Sequence, residues 1–555
     1  MSRGSPAAFF LVAAAALAAA DGWAATIHVD VTNLSGVEDG TVAHPYNTIQ
    51  EGVDHALGGD KVQVHPGTYK ESLLMKDGVS VVGNGAGSTV IDGTGIENSV
   101  VTFNGTRLSP LLSGFTIKGG HGDQISEQGG FPVFAGGGVL ILDSSAIVVR
   151  NVITQNTLTQ GYCLGAGIYV RANAATPQIL DNLISGNTAV SGNVAGSGDG
   201  GGIYVVTKSG SVVVQGNVIE SNQAVRGGGV FVDNATSSTV GIRRNVLRNN
   251  NAKTGGAIFS QAIGGSVSTV VDNVVVGNGN TAAGAQGGGI VGKALGTGSF
   301  AISNNTFSGN AVAAGNGGAI WLDDTTSTLA NVVANNVLSG NTALHGGGID
   351  HTAFHGTIRN NDFNANPGGN LYNAGGSGAV IVGSLLLDPQ FVSPAQGNFR
   401  LLTGSPCIDA AFPADAPAND LDGFSRPFDG DANQTAVSDI GAHEYPAGEV
   451  LAITFAADKR SLGWPTLAAQ DAFNIYRGSL ARLRSTGQYT QDPLAEPLAA
   501  RFCSVTAAQL PFPDLYVPPA GQSVFYLATA VIDGWEGPLG PDRFGLPRPN
   551  DNSCP

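Results

Sequence analysis

Acidic and histidine side chains occur together in two strings of the sequence, WLDD and IDH. Their members are Asp323, Asp324, Asp350 and His351, with His345 close by. If the two strings occupy equivalent strands of neighbouring repeats, their carboxylates lie roughly 5 to 7 Å apart, which suits the acid and the base of glycosidic bond cleavage. Asp and His are also common as solvated residues at strand ends, so a purely structural role stays open.

A second acidic group lies further along the chain, in the strings NDLDG and DGDAN. It consists of Asp420, Asp422, Asp429 and Asp431. Closely spaced carboxylates suit Ca²⁺, and the strings resemble fragments of calcium loops without the full twelve-residue pattern. Calcium is therefore the one cofactor that the sequence suggests. The alternative is an irregular loop in which the carboxylates accept backbone N–H bonds.

The elements that would position these residues follow from two repeated motifs. Strings of small residues before a β-branched residue begin at Gly136, Gly165, Gly200, Gly227, Gly255, Gly287, Gly317 and Gly346. The motif N-x-[apolar]-x-x-N alternates with them and begins at Asn151, Asn182, Asn217, Asn245, Asn273, Asn305, Asn336 and Asn361. Both motifs advance by 30 residues on average, so they mark one repeated unit.

Short alternating apolar runs such as IYVV and VVVQ predict strands within each unit, and the 3.6-residue periodicity of helical repeats is missing. We therefore predict an all-β fold, a parallel β-helix solenoid of about eleven coils whose strands lie about 4.8 Å apart. The asparagines are expected to stack along it and to hydrogen-bond through their amides.

One column of side chains follows from this alternation. The β-branched residue of each glycine string should point inward, and the next residue should point outward. Its aromatic members are Tyr169, Tyr204, Phe231, Phe259 and Trp321. An exposed stripe of rings could bind the apolar faces of sugars. The alternative is that the rings stack on one another or are covered by the segments between the motifs.

These residues carry a resemblance to known families. The GGAI strings with FSGN at 307–310 resemble the repeat of polymorphic outer-membrane proteins, and the general pattern resembles the pectin-lyase-like superfamily. That resemblance implies right-handed coils. Residues 45–69 resemble the start of such proteins, where a short helix caps the first coil, and residues 405–445 resemble a closing segment.

The predicted domains follow the chain in order. Residues 1–25 form a signal peptide with an apolar run, residues 26–400 the β-helix with its cap, and residues 401–447 a C-terminal cap segment. Residues 448–555 resemble a fibronectin type III-like β-sandwich. We expect a disulfide between Cys503 and Cys554 in that module, whereas the pairing of Cys163 and Cys407 stays open.

Composition narrows the functional classes. The 555 residues include 82 glycines, 42% are hydrophobic and only 12% are charged, which fits a folded solenoid rather than a disordered linker. A net charge of −16 without a cluster of basic residues argues against nucleic acid as a partner. After the leader, no apolar run is long enough to span a membrane.

Three hypotheses for the function remain. The first is a monomeric protein, secreted or in the cell envelope, that binds polysaccharide along the β-helix. The second is a glycoside hydrolase or lyase that acts on one face of the helix. The third is a structural or adhesive surface rod. The aromatic column favours the first hypothesis, and the acidic group around Asp350 favours the second.

Overall fold

The structure is a computed structural model. It describes residues 24–555 apart from 325–326, 328–330, 353, 374–378, 403, 431–432, 434, 446–449, 451–452, 465–471, 533–534, 538, 540–547 and 555. The predicted solenoid is confirmed, because successive coils stack through parallel strands in three sheets, here called A, B and C. The predicted signal peptide lies almost entirely outside the described residues.

Sheets A and C are joined by one long strand, Ile203–Gln215, that belongs to both. The other strands of sheet A are Thr26–Val29, Lys61–Val64, Ser80–Gly83, Leu111–Ser113, Ile147–Val149, Gln178–Leu180, Thr239–Arg243, Val267–Val271, Ser299–Ser303, Val332–Ala334, Thr357–Arg359 and Val380–Val382. The other strands of sheet C are Leu73–Leu74, Val101–Asn104, Val139–Leu142, Ile168–Ala175, Val230–Ala235, Ile258–Ile263, Ile290–Leu295, Ile320–Asp323, Ile349–Thr352 and Leu371–Asn373.

Sheet B has eleven strands, which matches the predicted number of coils. They are Gly67–Tyr69, Thr89–Asp92, Thr116–Lys118, Val152–Thr154, Leu183–Ser185, Val218–Glu220, Val246–Arg248, Val274–Val276, Thr306–Ser308, Val337–Ser339 and Asp362–Asn364. Smaller sheets lie beside the coils and consist of Asp123–Gln128 with Phe131–Ala135 and Tyr162–Leu164, Thr157–Leu158 with Thr188–Ala189 and Gln223–Ala224, and Ala311–Asn316 with Thr342–His345.

Aliphatic side chains from all three sheets fill the interior in columns. In the coil that begins at Gly200, for example, Ile203 and Val205 from sheet C, Val214 from sheet A and Ile219 from sheet B are all fully buried. The β-branched residue of the glycine string therefore points inward, as the sequence predicts. One continuous apolar core runs along the axis, so each coil is stabilised mainly by its two neighbours.

Two asparagine ladders close the corners on either side of sheet B. The first consists of Asn151, Asn182, Asn217, Asn245, Asn273, Asn305, Asn336 and Asn361, and the second of Asn156, Asn187, Asn222, Asn250, Asn278, Asn310, Asn341 and Asn366. Within a ladder each amide Nδ2 donates to Oδ1 of the next asparagine, at 2.9 to 3.2 Å. The predicted structural role of the asparagines is confirmed.

A short helix covers the first coil, as predicted. Helix α1 (Ile49–His55) begins with a capping box between Thr48 and Glu51 and buries Ile49 and Val53 against the core. The first coil thus has no exposed apolar end on this side, which hides an edge that would otherwise pair with other chains.

The segment 401–447 lies along corner residues on the side of the solenoid and also contacts Arg359 and Asp362 of the last coil, and its assignment as a cap stays a prediction. Corner residues Asn304 and Asn335 bond to it, with Asn304 Nδ2 donating to the carbonyl of Asp439 at 3.0 Å. Phe399, Ala442 and partly buried Leu421 cover Val274 on the outward face of sheet B. The chain turns back because these left-handed corner residues point their amides outward and offer it partners.

The last module is antiparallel. Its strands are Thr454–Phe455, Ser461–Gly463 and Phe512–Pro513 in one sheet and Ala472–Ser479, Ala500–Val505, Val524–Ile532 and Trp535–Glu536 in the other, with helix α2 at Leu480–Thr486. Outside it lie the hairpin Phe391–Ser393 with Asn398–Leu401 and the 3₁₀ turns Pro394–Gln396, Pro413–Asp415 and Ala507–Gln509. The fibronectin type III-like assignment stays a prediction.

The predicted disulfide between Cys503 and Cys554 is confirmed, while Cys163 and Cys407 are buried free thiols. Both α-helices in the described part of the chain are too short to cross a membrane.

Candidate functional site

The outward face of sheet C carries three parallel rows of side chains. The first row comes from the residues just before the glycine strings and is called the outer ladder. It consists of Ala135, Leu164, Asp199, Arg226, Thr254, Gln286, Asn316 and His345, which pair in register from coil to coil. The second row, called the ring column, is the predicted column that contains the aromatic residues. The third row, two residues further along each strand, is called the polar row.

The ring column points away from the core, but it is not exposed. Tyr169, Tyr204, Phe231, Phe259 and Trp321 keep only 4% to 8% of their surface and form a separate apolar cluster. The prediction of an exposed aromatic stripe is therefore wrong. The alternative is correct, because the centroids of successive rings from Tyr169 to Phe259 lie 4.8 to 5.3 Å apart with nearly parallel planes.

The cover over the rings is the outer ladder. The first glycine of each string is left-handed, and at Gly165 a Cβ atom would lie 2.3 Å from the carbonyl oxygen of Ile168. Only glycine fits this fold-back of the chain, which lays the preceding residue over the strand that follows. Leu164 accordingly packs against the ring cluster. The sequence shows the glycines but not which side chain they bring over the rings.

Charged side chains extend this cover. The guanidinium of Arg226 lies 4.9 Å from the ring centroid of Phe231 and forms a bidentate ion pair with Asp199, at 2.6 and 2.7 Å. Lys293 Nζ lies 5.2 Å from the ring of Trp321 and 3.9 Å from the carboxylate of Asp323. Burial raises the pKa of Tyr169 to about 12, so its hydroxyl is neutral at physiological pH.

The polar row is the accessible part of this face. Its members are Leu142, Arg171, Val206, Asp233, Gln261, Lys293, Asp323 and Thr352, all partly exposed and paired in register. Five consecutive coils, from Asp233 to Thr352, each contribute a hydrogen-bonding side chain. Our sequence analysis missed this row as a site, although alternation two residues beyond the rings was the signal for it.

The predicted catalytic group is divided between two faces. Asp350 continues the outward ring column after Trp321, and Asp323 lies in the polar row beside Thr352. His351 pairs with interior Leu322 and lies edge-on to the buried ring of Phe354. The four residues therefore do not gather on one face, because neighbouring residues of a strand point to opposite sides, and a catalytic role for them stays a prediction.

Asp324 is likewise turned away from the outward face. It is fully buried at a corner, where it accepts hydrogen bonds from Asn331 Nδ2 at 3.0 Å and from the backbone N–H of His355 at 3.0 Å. Because these hydrogen bonds hold the Asp324 carboxylate inside the corner, its role is structural. Burial lowers the pKa of interior His351, although nearby Asp324 acts in the opposite direction.

Asp350 is the unusual member of the ring column. Both its carboxylate oxygens are buried, and neither has a hydrogen-bond partner among the described residues. Burial raises the pKa of Asp350 to about 6, and the nearby His345 offsets this only in part. His345, the last residue of the outer ladder, stacks on Tyr372 with ring centroids 4.5 Å apart.

The four predicted calcium ligands do not form one group in the described residues. Asp420 and Asp422 lie with His443 in a cluster of possible ligand atoms within 4.8 Å of one another, whereas Asp431 lies outside the described residues. Asp429 takes no part in that cluster. It accepts a hydrogen bond from the backbone N–H of Asn433 at 3.0 Å.

Protein donors already serve the carboxylates of this cluster. Asp422 accepts from Arg400 at 2.7 Å and contacts His443 Nδ1 at 3.0 Å, and Asp420 accepts two backbone N–H bonds. Ca²⁺ prefers six to eight oxygen ligands, so an arginine and an imidazole do not fit it. Calcium binding stays a prediction, and we derive no chemistry from it.

The solenoid also has a cavity of about 460 Å³ on the side of sheet B. Its lining includes Ser308, Ser339, Asp388 and Phe391. The hydroxyls belong to the last residues of two strands of sheet B, and Phe391 comes from the hairpin that folds back after the last coil. This cavity is a second place at which a small polar molecule could bind, apart from the face of sheet C.

The comparison with known families agrees with this geometry. Residues 113–307 match the family model described as the right-handed β-helix region. The protein is a right-handed parallel β-helix. The predicted right-handed parallel β-helix is thereby confirmed as the fold. No curated protein matches the sequence.

Solved structures similar to this β-helix include pectate lyase Pel9A, with 13% identity, 76% of this chain and 96% of that chain covered, and a TM-score of 0.43. XylC in complex with xylose is 10% identical, with 75% of this chain and 98% of that chain covered and a TM-score of 0.37. Polygalacturonase from Erwinia carotovora ssp. carotovora is 10% identical, with 66% of this chain and 96% of that chain covered and a TM-score of 0.29. At these identities and TM-scores the similarity carries no statement about activity.

Proposed function

We propose that the protein binds a polysaccharide along the polar row on the outward face of sheet C. The observation that carries this proposal is the row itself, in which Asp233, Gln261, Lys293, Asp323 and Thr352 follow one another in register. Successive members are one strand spacing apart, about 4.8 Å, which is similar to the length of one sugar unit in an extended chain.

The chemistry of the row fits sugar hydroxyls. Carboxylates and amide oxygens accept hydrogen bonds, whereas ammonium, guanidinium and amide N–H groups donate them, so both halves of a hydroxyl find partners. The ring column beside the row is buried and stacked, so packing holds the strands that carry the row in place, which lowers the entropy cost of binding a long chain. The predicted leader at residues 1–25 would bring this face to polysaccharide outside the cell.

The experiment compares two double variants that remove the same kinds of side chain. Gln261→Ala with Lys293→Ala alters the polar row, and Gln215→Ala with Arg243→Ala alters the outward face of sheet A, where Arg243 Nε donates to Gln215 at 2.7 Å. On panels of neutral and acidic polysaccharides, the first variant should lose about tenfold or more in affinity, as expected for several lost hydrogen bonds.

The sheet A variant should bind within about twofold of the unaltered protein. Equal losses in both variants, or no polysaccharide binding by the unaltered protein, would contradict the proposal. A loss caused instead by Phe391→Ala would place the site in the cavity beside sheet B. If only protein partners are captured, the adhesive rod is the better hypothesis.

Asp350 favours polysaccharide cleavage as a second candidate function. Its raised pKa, about 6, is the kind of value that lets a carboxyl group donate a proton near neutral pH. Asp323 is the nearest of the predicted carboxylates on the same face. Release of reducing ends by the unaltered protein, and its loss in an Asp323→Asn, Asp350→Asn double variant, would support this candidate. Full activity in that variant would remove it.

A further inference from the structure

Two histidines meet at the start of the solenoid, far from the polar row. His28 lies in the first strand of sheet A, and His65 follows the second strand. The Nδ1 atom of His28 is 3.2 Å from the Nε2 atom of His65, and the ring centroids are 5.5 Å apart. Both side chains are partly exposed.

The strand register explains why they meet. Val29 pairs with Val64, both are fully buried, and the backbone N–H of His65 donates to the carbonyl of Val29 at 2.8 Å. The flanking residues therefore point outward. Asp30 follows Val29 just as His65 follows Val64, so Asp30 and His65 occupy neighbouring positions of successive strands. His28, which pairs with Gln63, is diagonal to His65.

The distance between the two nitrogens matches a metal chelate. Two imidazole nitrogens, each about 2.0 to 2.1 Å from one tetrahedral Zn²⁺, lie about 3.3 Å apart. We propose that His28 and His65 bind a divalent transition-metal ion of the Zn²⁺ type in the first coil, with Asp30 as an anionic neighbour rather than a direct ligand. Imidazole ligands suit this class, and partial exposure leaves room for water ligands.

The charges around the site are compatible with a cation. Burial, His65 and Lys61 together lower the pKa of His28, so its ring is neutral and has a free lone pair near neutral pH. Although burial acts in the opposite direction, two hydrogen bonds from Thr32 lower the pKa of Asp30 and keep it anionic. The ammonium group of Lys61 is the one charge here that opposes a bound cation.

This inference does not depend on polysaccharide binding, and its test uses the metal alone. Purified full chain, freed of metal by a chelator, is titrated with ZnCl₂ by calorimetry. We expect one site that loses about tenfold or more in affinity in His28→Ala and in His65→Ala, and less in Asp30→Asn. Lys61→Gln should bind Zn²⁺ more tightly, which a merely structural contact would not produce.

Two control variants separate this site from other metal ligands. His121→Ala removes an exposed histidine from another coil, and His443→Ala removes the histidine beside Asp420 and Asp422. Neither should change the affinity of the first-coil site. An N–H···N hydrogen bond would have the same length, so unchanged zinc binding in both His28→Ala and His65→Ala would overturn the proposal. So would a loss seen only in His443→Ala.

Discussion

Asp350 occupies a position that leucine, valine and aromatic residues hold in the seven preceding coils, from Leu140 to Trp321. In the ring column Leu140 and Val291 fill the same space without a charge, yet Asp350 has its carboxylate buried with no described partner. A buried carboxyl without hydrogen bonds favours its neutral form, which explains why its pKa rises to about 6. The protein keeps a residue here that weakens its own packing.

We predict that Asp350→Leu stabilises the protein at neutral pH. A raised pKa means that the contribution of Asp350 to stability is complete below about pH 4 and is lost as the pH rises through about 6, a difference of about 3 kcal/mol. The gain from Asp350→Leu in free energy of unfolding should therefore grow between pH 4 and pH 7, as measured by chemical denaturation. Val291→Leu serves as the uncharged control, and an equal pH dependence in both variants would contradict the prediction.

At the scale of the element, the asparagine ladders provide hydrogen-bond partners for buried backbone groups at the corners of the solenoid. Asn250 donates to the carbonyl of Ile219 and to Oδ1 of Asn278, and it accepts from the backbone and the amide of Asn222. All these groups are buried, so the loss of one amide leaves several donors and acceptors without partners.

We predict that Asn250→Ala lowers the free energy of unfolding by about 2 to 4 kcal/mol. Asn250→Asp should be similarly harmful, because a carboxylate cannot donate to Asn278. The control is Asn98→Ala, which removes an exposed asparagine side chain. Denaturation curves for the three variants provide the measurement. A change below about 0.5 kcal/mol in Asn250→Ala would show that the ladder contributes little.

The aromatic composition of the ring column suggested sugar binding, but the buried rings pack on one another and stabilise the coils. We predict that Phe231→Ala lowers the free energy of unfolding by about 3 kcal/mol or more, since it leaves a cavity between the rings of Tyr204 and Phe259. The folded variant should still bind polysaccharide with unchanged affinity. Phe231→Leu, which resembles Leu140 in the same column, should cost less. If a stable Phe231→Ala variant selectively lost polysaccharide binding, the hypothesis that the aromatic residues bind sugars would be supported again.

At the scale of the whole molecule, a buried charge network joins the segment 401–447 to the coils. The Arg426 side chain is fully buried and lies 3.1 Å from Glu444 and 3.7 Å from Asp272 on the β-helix, and it donates to the carbonyl of Gly441 at 2.8 Å. Burial raises the pKa of Asp272 well above its ordinary value, and Arg426 offsets this only in part. Arg426 therefore links buried carboxylates on both sides of this attachment, which the corner amides and apolar contacts also support.

We predict that Arg426→Gln destabilises the attachment by about 3 kcal/mol or more, because it leaves two buried carboxylates without their counter-charge. Hydrogen exchange should accelerate at residues 438–445 and at the coil around Asp272, whereas the first coils should be unaffected. Arg482→Gln, in exposed helix α2, is the control. Unchanged exchange in the segment would show that apolar contacts alone hold it.

The sequence by itself determined the solenoid, the number of coils and the asparagine ladders. These features are periodic, and each depends on neighbouring residues and on the equivalent residues one coil away, for example Asn217 on Asn245. The disulfide between Cys503 and Cys554 was also predictable, because both cysteines lie in the last module. The inward direction of residues such as Ile203 followed from strand alternation.

Only the tertiary structure decided what covers each outward face. The rings around Phe231 are buried because left-handed glycines fold the preceding residue across them, and the segment 401–447 runs beside sheet B because corner amides such as Asn335 bind it. The cover over the rings recurs with the glycine strings, but the sequence does not show which way the residue before each string folds, and the contact made by segment 401–447 has no period at all. The polar row is periodic as well, but its exposure, like the proximity of His28 and His65, depends on strand register and side-chain direction together.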